Sequence, residues 1–353
     1  MSNGNNRPRG GQVREERHGS PPVPFAPELV DLLERMGPPH ENAPATAAQI
    51  PQWRAQVAEA DPTLDELRDG GRFDVQERLV PGPAGAPQVP LVIARPSGVG
   101  EGAPVIYHMH GGGMMAGTSR TGLAPVLREW AEPLGCVVVA VDYRLAPEHV
   151  HPAAIEDCYA GPVWVAQRSA SFGGDAERIV IAGGSAGGGL TAALALLARD
   201  RQGPRLIGQL AMCPMLDDRN DSPSARQMTG LGVWDRHAND LGWTSVLGEA
   251  LRGTHVSPYA AAARATDLSG LPPAYIDVGA AETYRDESVR YATGLWEAGG
   301  DAELHVWAGA VHGFDQTAPH TDLAADARAA RFGWLRRLLN RTLASGVRGY
   351  WAT

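Results

Sequence analysis

The sequence predicts an α/β protein in which one mostly parallel sheet is covered by helices on both faces. Three observations lead to this fold class: short apolar runs rich in Val and Ile, longer stretches with helical spacing of apolar residues between them, and Pro/Gly punctuation that separates the two. Parallel strands are buried on both faces and therefore appear as continuous apolar runs. With 353 residues, of which 43% are hydrophobic, the chain suits one large α/β domain that carries an insertion or cap.

The N-terminal part of the chain comes before the first strand signals. Residues 1–24 are polar and rich in Gly, Pro and Arg, so we expect a disordered tail there. Residues 25–70 contain two stretches with helical spacing of apolar residues, Pro27–Met36 and Ile50–Leu67. We interpret residues 25–70 as a helical cap segment.

Residues 71–353 are expected to form the main α/β domain. It begins with a predicted hairpin, Arg72–Val80 and Val89–Arg95, so its first strands should be antiparallel. The later strands are predicted at Val105–Met109, Cys136–Val141, Arg178–Ala182, Leu206–Met212, Ala274–Val278 and Glu303–Val306. Helices are predicted between them, notably at Gly188–Arg201, Glu287–Gly299 and Leu323–Leu339. The stretch at about 215–257 is rich in Asp, Trp and Gly without a clear strand, and we interpret it as a cap insertion.

Composition and charge exclude several classes of protein. The net charge of −9 would repel the phosphates of a nucleic acid, so we expect no nucleic-acid partner. All 31 basic residues are arginine, which excludes a lysine-based mechanism. No apolar run is long enough for a membrane-spanning helix, and no signal-peptide pattern is present. Three scattered cysteines suit buried free thiols in a reducing, cytoplasmic setting better than a disulfide framework or a zinc site.

The strongest local motif is Gly183-Gly184-Ser185-Ala186-Gly187, a G-x-S-x-G sequence between an apolar strand and a helix. In that context the turn is so tight that only small residues fit beside the serine, and it lifts the serine hydroxyl clear of the sheet. The N-terminus of the following helix favours negative charge at the same point. The motif predicts that Ser185 is a nucleophile, whereas the alternative is a plain structural turn.

A second glycine-rich motif, His110-Gly111-Gly112-Gly113, follows the strand Val105–Met109. Attack of a serine on an acyl carbon creates an oxyanion, which needs hydrogen-bond donors already in place. We expect the N–H groups of Gly111 and Gly112, with that of Ala186, to form this oxyanion hole. His110 is expected to order the loop by hydrogen bonding rather than to act as a base.

A serine nucleophile needs a histidine that accepts its proton and a carboxylate that orients the histidine. His312 follows the last strand by a short Ala/Gly-rich loop, which places it at the edge of the sheet where Ser185 is expected. Glu282 lies just past the strand Ala274–Val278 and is the preferred acid. Asp286 is the alternative, although it looks like a first-turn acid of the next helix.

These motifs resemble the hormone-sensitive-lipase-like carboxylesterases, bacterial family IV of the α/β-hydrolase superfamily. The matching residues are the motif at His110–Gly113, the segment Tyr143–His149, the elbow around Ser185, the stretch Glu282–Glu287 and His312-Gly313-Phe314. The resemblance implies an α/β-hydrolase fold with a helical cap, in which residues 71–353 are the catalytic domain. It implies hydrolysis of short- to medium-chain carboxylic esters without cofactor or metal, and a homodimer, which is frequent in the family.

Two residues depart from the family pattern. Gly184 stands where an acidic residue usually precedes the serine, and Glu282 stands where Asp is more common. Gly184 lacks the side chain that usually precedes the serine, so the structural role of that side chain stays open. Glu282 is longer than Asp, and its carboxylate can still reach a histidine if its loop adjusts.

The substrate pocket is the least defined part of the sequence prediction. Met114, Met115, Met215 and Trp234 are candidates for its apolar wall, with core packing as the alternative for each. The same catalytic residues could also act on an amide, formamide, carbamate or lactone, because the fold does not select the bond. A dehydratase and a non-catalytic ligand-binding member of the fold are further alternatives.

An acidic cluster occurs early in the predicted cap insertion. Its members are Asp217, Asp218 and Asp221. Because Pro, Ser and Asn surround it, we interpret this cluster as a solvated loop rather than a metal site.

Overall fold

The computed structural model describes residues 20–344 of the chain, and it contains one eight-stranded sheet. The strands are β1 (Phe73–Val80), β2 (Val89–Pro96), β3 (Ala103–Met109), β4 (Val137–Val141), β5 (Gly174–Gly184), β6 (Leu206–Met212), β7 (Ala274–Gly279) and β8 (Ala302–Trp307). Their order across the sheet is β1-β2-β4-β3-β5-β6-β7-β8. The first two strands pair antiparallel with each other, β2 pairs antiparallel with β4, and all later pairs are parallel. The predicted fold class and the opening hairpin are therefore confirmed.

Helices lie on both faces of this sheet. They are α1 (Pro27–Met36), α2 (Ile50–Ala60), α3 (Leu64–Arg68), α4 (Leu123–Val126), α5 (Glu132–Leu134), α6 (Ala153–Arg168), α7 (Ala186–Asp200), α8 (Pro223–Gln227), α9 (Arg236–Leu247), α10 (Arg285–Glu297), α11 (Phe314–Thr317) and α12 (Asp322–Ala344). A π turn, Leu127–Ala131, joins α4 to α5. Among the described residues no helix has the length and apolarity to cross a membrane.

The central strands alternate their side chains between two apolar layers. In β3, Val105, Tyr107 and Met109 belong to the layer that includes α6 and α7. Ile106 belongs to the opposite layer, which includes Trp130 and the α12 side chain of Leu335. Because successive strand residues point to opposite faces, continuous apolar runs of this kind require cover on both sides.

Several element boundaries differ from the sequence prediction. The predicted helix Ile50–Leu67 is two helices, α2 and α3, because Pro62 follows Asp61 and cannot continue the helix hydrogen bonding. The structure also contains α6 and α9, which the sequence prediction did not identify. Of the predicted disordered tail, residues 1–19 lie outside the described part of the chain. Residues 20–26 have no helix or strand, and the amide of Gln227 donates a hydrogen bond to the Pro21 carbonyl.

Candidate active site

Ser185 lies in a tight turn between the end of β5 and the start of α7. Its backbone has φ +58° and ψ −120°, a left-handed conformation that a non-glycine residue rarely adopts. A Cβ atom on Gly183 would lie 2.4 Å from the Gly187 carbonyl oxygen, and one on Gly187 would lie 2.0 Å from the Met109 carbonyl oxygen. Only glycine fits these two positions, so the sequence motif and the close backbone packing require each other.

Gly184, the departure from the family pattern, is different from its glycine neighbours. A Cβ atom there would meet nothing closer than the Met212 side chain at 3.6 Å, which is ordinary contact. The position therefore accepts a side chain sterically, and glycine is not required there by the turn.

His312 contacts both of its expected partners. Its Nε2 lies 3.0 Å from the Ser185 hydroxyl oxygen, and its Nδ1 lies 3.0 Å from a carboxylate oxygen of Glu282. The other Glu282 oxygen accepts the N–H of Gly279 at 2.8 Å, so the carboxylate is fixed at the end of β7. Because a carboxylate can only accept, Nδ1 donates to Glu282 and Nε2 is left free to accept the serine proton.

The alternative acid, Asp286, is occupied elsewhere. Its carboxylate accepts the N–H of Ser224 at 2.8 Å and the guanidinium of Arg285 at 2.8 Å. The next residue, Glu287, accepts the N–H groups of Leu216 and Asp217 and so holds the chain after β6. Asp286 and Glu287 therefore anchor neighbouring segments. Of the two candidate acids, Glu282 and Asp286, it is Glu282 that contacts His312.

Electrostatics around His312 favour its protonated form. Burial lowers the pKa of His312, but the neighbouring Cys213 thiol and Glu282 carboxylate outweigh burial and raise the pKa well above its usual 6.5. The ring is enclosed by aromatic side chains, with Tyr284 edge-on at 5.2 Å and Trp234 at 6.4 Å between ring centroids. A histidine that gains a proton in this site is therefore well stabilised.

The glycine-rich loop after β3 lies against the nucleophile. A Cβ atom on Gly111 would lie 3.4 Å from the Ser185 Cβ, so the loop passes close to the serine. Gly112 has φ +103°, and a Cβ there would lie 2.2 Å from the Ala116 carbonyl oxygen. In the described part of the chain, the N–H groups of Gly111 and Gly112 donate no hydrogen bond. The N–H of Ala186 begins α7 and has no partner within that helix.

His110 orders this loop, as the sequence analysis expects. Its Nδ1 lies 2.7 Å from the Gly111 carbonyl oxygen, and its ring stacks on Tyr143 at a centroid distance of 4.1 Å. The Tyr143 hydroxyl donates to the His110 carbonyl at 2.8 Å. Burial lowers the pKa of His110 to about 3, so its ring is neutral.

A cavity of about 490 Å³ opens in front of Ser185 and His312. Trp234 lines it together with Trp53, and their ring centroids are 6.3 Å apart. The expectation for the other three pocket candidates is wrong. Met114, Met115 and Met215 do not line this cavity, because their side chains are buried among the apolar residues of the core.

The predicted solvated loop of acidic residues is also corrected. Asp218 is fully buried and pairs with Arg264 at 2.7 Å, and Asp217 is buried and pairs with Arg219 at 2.7 Å. Only Asp221 of the three is exposed. Arg219 is a near neighbour of Asp217, but Arg264 lies 46 residues beyond Asp218, and local composition does not reveal such a distant partner for a buried carboxylate.

Sequence reasoning missed Cys213. The sequence prediction treats it, like the other two cysteines, as a buried free thiol, yet it is half-buried and lines the cavity beside His312. Its position directly after β6 is the signal that could have found it, because the carboxyl ends of parallel strands are where α/β proteins place their sites.

The arrangement as a whole is the geometry that a serine hydrolase requires: a half-buried serine that lines a cavity, a histidine in contact with it, a buried carboxylate behind the histidine, and free N–H groups beside the serine. Three chemically different groups from distant parts of the chain meet at the carboxyl edge of the sheet.

Comparison with known proteins agrees with this class. The profile of the α/β-hydrolase fold family matches residues 106–316. The carboxylesterase NlhH of Mycobacterium tuberculosis (strain CDC 1551 / Oshkosh) is 36% identical over 299 residues, which are 84% of this chain and 91% of that protein. Human hormone-sensitive lipase is 42% identical over 104 residues, 30% of this chain and 10% of the lipase.

A solved structure extends the comparison to three dimensions. The structure of a bacterial heroin esterase superposes with a TM-score of 0.81 at 33% identity, covering 89% of this chain and 98% of that one. The chain therefore belongs to the α/β-hydrolase family, in its hormone-sensitive-lipase-like group of esterases.

Proposed function

We propose that this protein is a carboxylesterase that hydrolyses short- to medium-chain esters of small molecules through an acyl-enzyme on Ser185. The observation that carries the proposal is the continuous hydrogen-bond chain from Ser185 through His312 to Glu282, with 3.0 Å at each step. The relatives named above are esterases or a lipase, which favours an ester over an amide, formamide, carbamate or lactone as the bond cleaved.

In the proposed first step, His312 Nε2 takes the hydroxyl proton while the Ser185 oxygen attacks the ester carbonyl carbon. The carbonyl oxygen gains the negative charge, and the N–H groups of Gly111, Gly112 and Ala186 stabilise it. Glu282 stays ionised and stabilises the imidazolium through Nδ1. His312 then protonates the leaving alcohol, and the acyl group remains on Ser185.

In the second step, His312 Nε2 removes a proton from water, and the water oxygen attacks the acyl carbon. The bond to Ser185 breaks, the serine oxygen recovers a proton from His312, and the carboxylic acid leaves. The residues of the site supply every proton transfer in this sequence, so the mechanism uses no metal or cofactor.

We infer that the segment 25–70 and the insertion at about 215–257 together cap this cavity, over a catalytic domain of residues 71–353. Trp53 of α2 and Trp234 of the insertion meet at the cavity, which supports the proposal. Cap residues would then set the length of acyl chain that the enzyme accepts. The homodimer and the cytoplasmic setting suggested by the sequence stay predictions.

The test is hydrolysis of p-nitrophenyl esters from acetate to dodecanoate by wild type, Ser185→Ala and a control, Ser171→Ala. Ser171 is exposed and lies outside the cavity, so its variant should behave as wild type. Ser185→Ala should lose on the order of 10³-fold or more in kcat. A fluorophosphonate should label wild type and the control but not Ser185→Ala. Near-normal hydrolysis by Ser185→Ala would overturn the proposed nucleophile.

A further inference from the structure

Cys213 occupies a fixed position inside the site that the proposed mechanism does not use. Its N–H donates to the Asp277 carbonyl at 2.6 Å, which ties the residue after β6 to the neighbouring strand β7. Its backbone has φ +37°, in the left-handed region. The side chain lines the same cavity as Ser185 and His312, so a small ion that enters the cavity can reach the thiol.

Three side chains of different donor type meet at this point. One ligand atom each from Cys213, Glu282 and His312 lies within 4.8 Å of the other two. Thiolate, imidazole and carboxylate are the ligands that zinc takes in proteins. A tetrahedral zinc ion with bonds of about 2.0–2.3 Å needs ligand atoms about 3.5 Å apart, so side-chain movements on the order of 1 Å would complete the set.

We propose that Cys213, His312 and Glu282 form an inhibitory site for a thiophilic divalent cation such as Zn²⁺ or Cd²⁺. The three residues supply a sulfur, a nitrogen and an oxygen, and Cys213 and His312 line the cavity, through which the ion and a water ligand can enter. The Cys213 thiol releases its proton to solvent when the metal–sulfur bond forms. The site differs from a resident catalytic centre, because the metal occupies groups that hydrolysis needs free.

Metal binding and ester hydrolysis exclude each other at this site. Both nitrogens of His312 are in use, one toward Glu282 and the other toward Ser185. A metal bound to either nitrogen removes the base or its orienting partner. This inference rests on the proposed function for its inhibitory consequence, but the binding itself does not depend on Ser185.

The other two cysteines provide matched controls. Cys136 and Cys158 are free thiols like Cys213, but both are fully buried and neither lines the cavity. Since a metal ion in solution reaches neither of them, replacing either cysteine should leave inhibition as it is in wild type. Of the three thiols, only that of Cys213 belongs to the proposed site, together with His312 and Glu282.

The first experiment titrates chelator-treated protein with Zn²⁺ during p-nitrophenyl acetate hydrolysis, each variant being compared with its own metal-free rate. We expect wild type and Cys136→Ser to be inhibited at the same concentration and to recover on addition of EDTA. Cys213→Ser should need at least about 10-fold more Zn²⁺, since an alcohol oxygen is a poor zinc ligand. Equal inhibition of wild type and Cys213→Ser would overturn the proposal.

The second experiment measures binding without turnover. Cd²⁺ added to Ser185→Ala should produce the ultraviolet charge-transfer absorption of a cadmium–thiolate bond, and the double variant Ser185→Ala/Cys213→Ser should not. If wild type proves inactive on esters, the proposed function fails and this titration still decides the metal site. If wild type is active but Cd²⁺ gives no thiolate band, the metal site fails and the proposed function stands.

Discussion

The nucleophile half of the site and the histidine half are held in place by different physical means. Around Ser185 the geometry comes from backbone packing: at Gly183 and Gly187 a Cβ atom would collide with a carbonyl oxygen. Around His312 the geometry comes from charged side chains. The Glu282 carboxylate accepts the N–H of Gly279, and the buried Arg331 pairs with Asp277. The first half is therefore sensitive to added volume, whereas the second is sensitive to lost charge.

The histidine half is supported by a buried ion triad. Arg331 of α12 is almost fully buried and donates to Asp277 on β7 at 2.6 Å and to Asp315, three residues after His312. These contacts join the last helix, the strand that precedes Glu282 and the loop that carries the histidine. A buried arginine of this kind must be satisfied by carboxylates, because an unpaired buried charge is costly.

The largest expected effect on kcat comes from removing the negative charge of Glu282 beside His312. Glu282→Gln should lower kcat by about 10³- to 10⁴-fold, because a neutral amide neither stabilises the imidazolium nor fixes its tautomer. Asp286→Asn is the matched control and should change kcat only a few-fold, since that carboxylate does not contact His312. Steady-state kinetics of the two variants check this, and equal losses would mean that the acid is wrongly assigned.

The next effect tests the ion triad through stability. Arg331→Ala leaves the buried carboxylate of Asp277 and the partly buried carboxylate of Asp315 without their arginine, and should lower the free energy of unfolding by about 3–5 kcal/mol. Arg328→Ala, one turn earlier on the same helix, removes a partly exposed arginine and should cost less than about 1 kcal/mol. Urea unfolding measures both. Comparable values for the two variants would show that the triad does not hold the histidine half.

The nucleophile half should respond to a single methyl group. Gly112→Ala adds a Cβ 2.2 Å from a carbonyl oxygen at a positive φ, so the oxyanion loop must move, and kcat should fall about 10²- to 10³-fold. Gly184→Ala meets only ordinary contacts and should leave kcat within about two-fold of wild type. If Gly112→Ala leaves kcat unchanged, the oxyanion donors are not in this loop.

The smallest expected effect concerns pH. The proposed mechanism needs neutral His312, and although burial lowers the pKa of this histidine, Cys213 and Glu282 raise it well above 6.5. Activity should therefore be absent at pH values below the raised pKa and appear as pH increases through it, so the acidic limb of kcat/KM should lie above 6.5. A pH–rate profile in metal-free buffer measures the limb. A midpoint below 6.5 would mean that burial dominates.

The pattern of apolar runs predicted the sheet well because its physical cause is local. A strand covered on both faces is apolar at nearly every position, so Leu206–Met212, with Gln209 as its polar residue, was predicted with the bounds that the structure shows. Helices were harder: α6 carries buried and exposed residues without a sharp stripe, and it contains Pro162, a residue that usually ends a helix. Its position under the sheet, rather than its local sequence, keeps it helical.

By itself, the sequence determined the α/β architecture and the positions of Ser185 and His312, because glycine turns and apolar strands act through steric rules between near neighbours. Only the tertiary structure decided which acid reaches His312, that three of the four pocket candidates are core residues, and that Cys213 faces the cavity. Those outcomes depend on which side chains meet across strands far apart in the chain. The apolar pattern of a single segment carries no information about such contacts between distant segments.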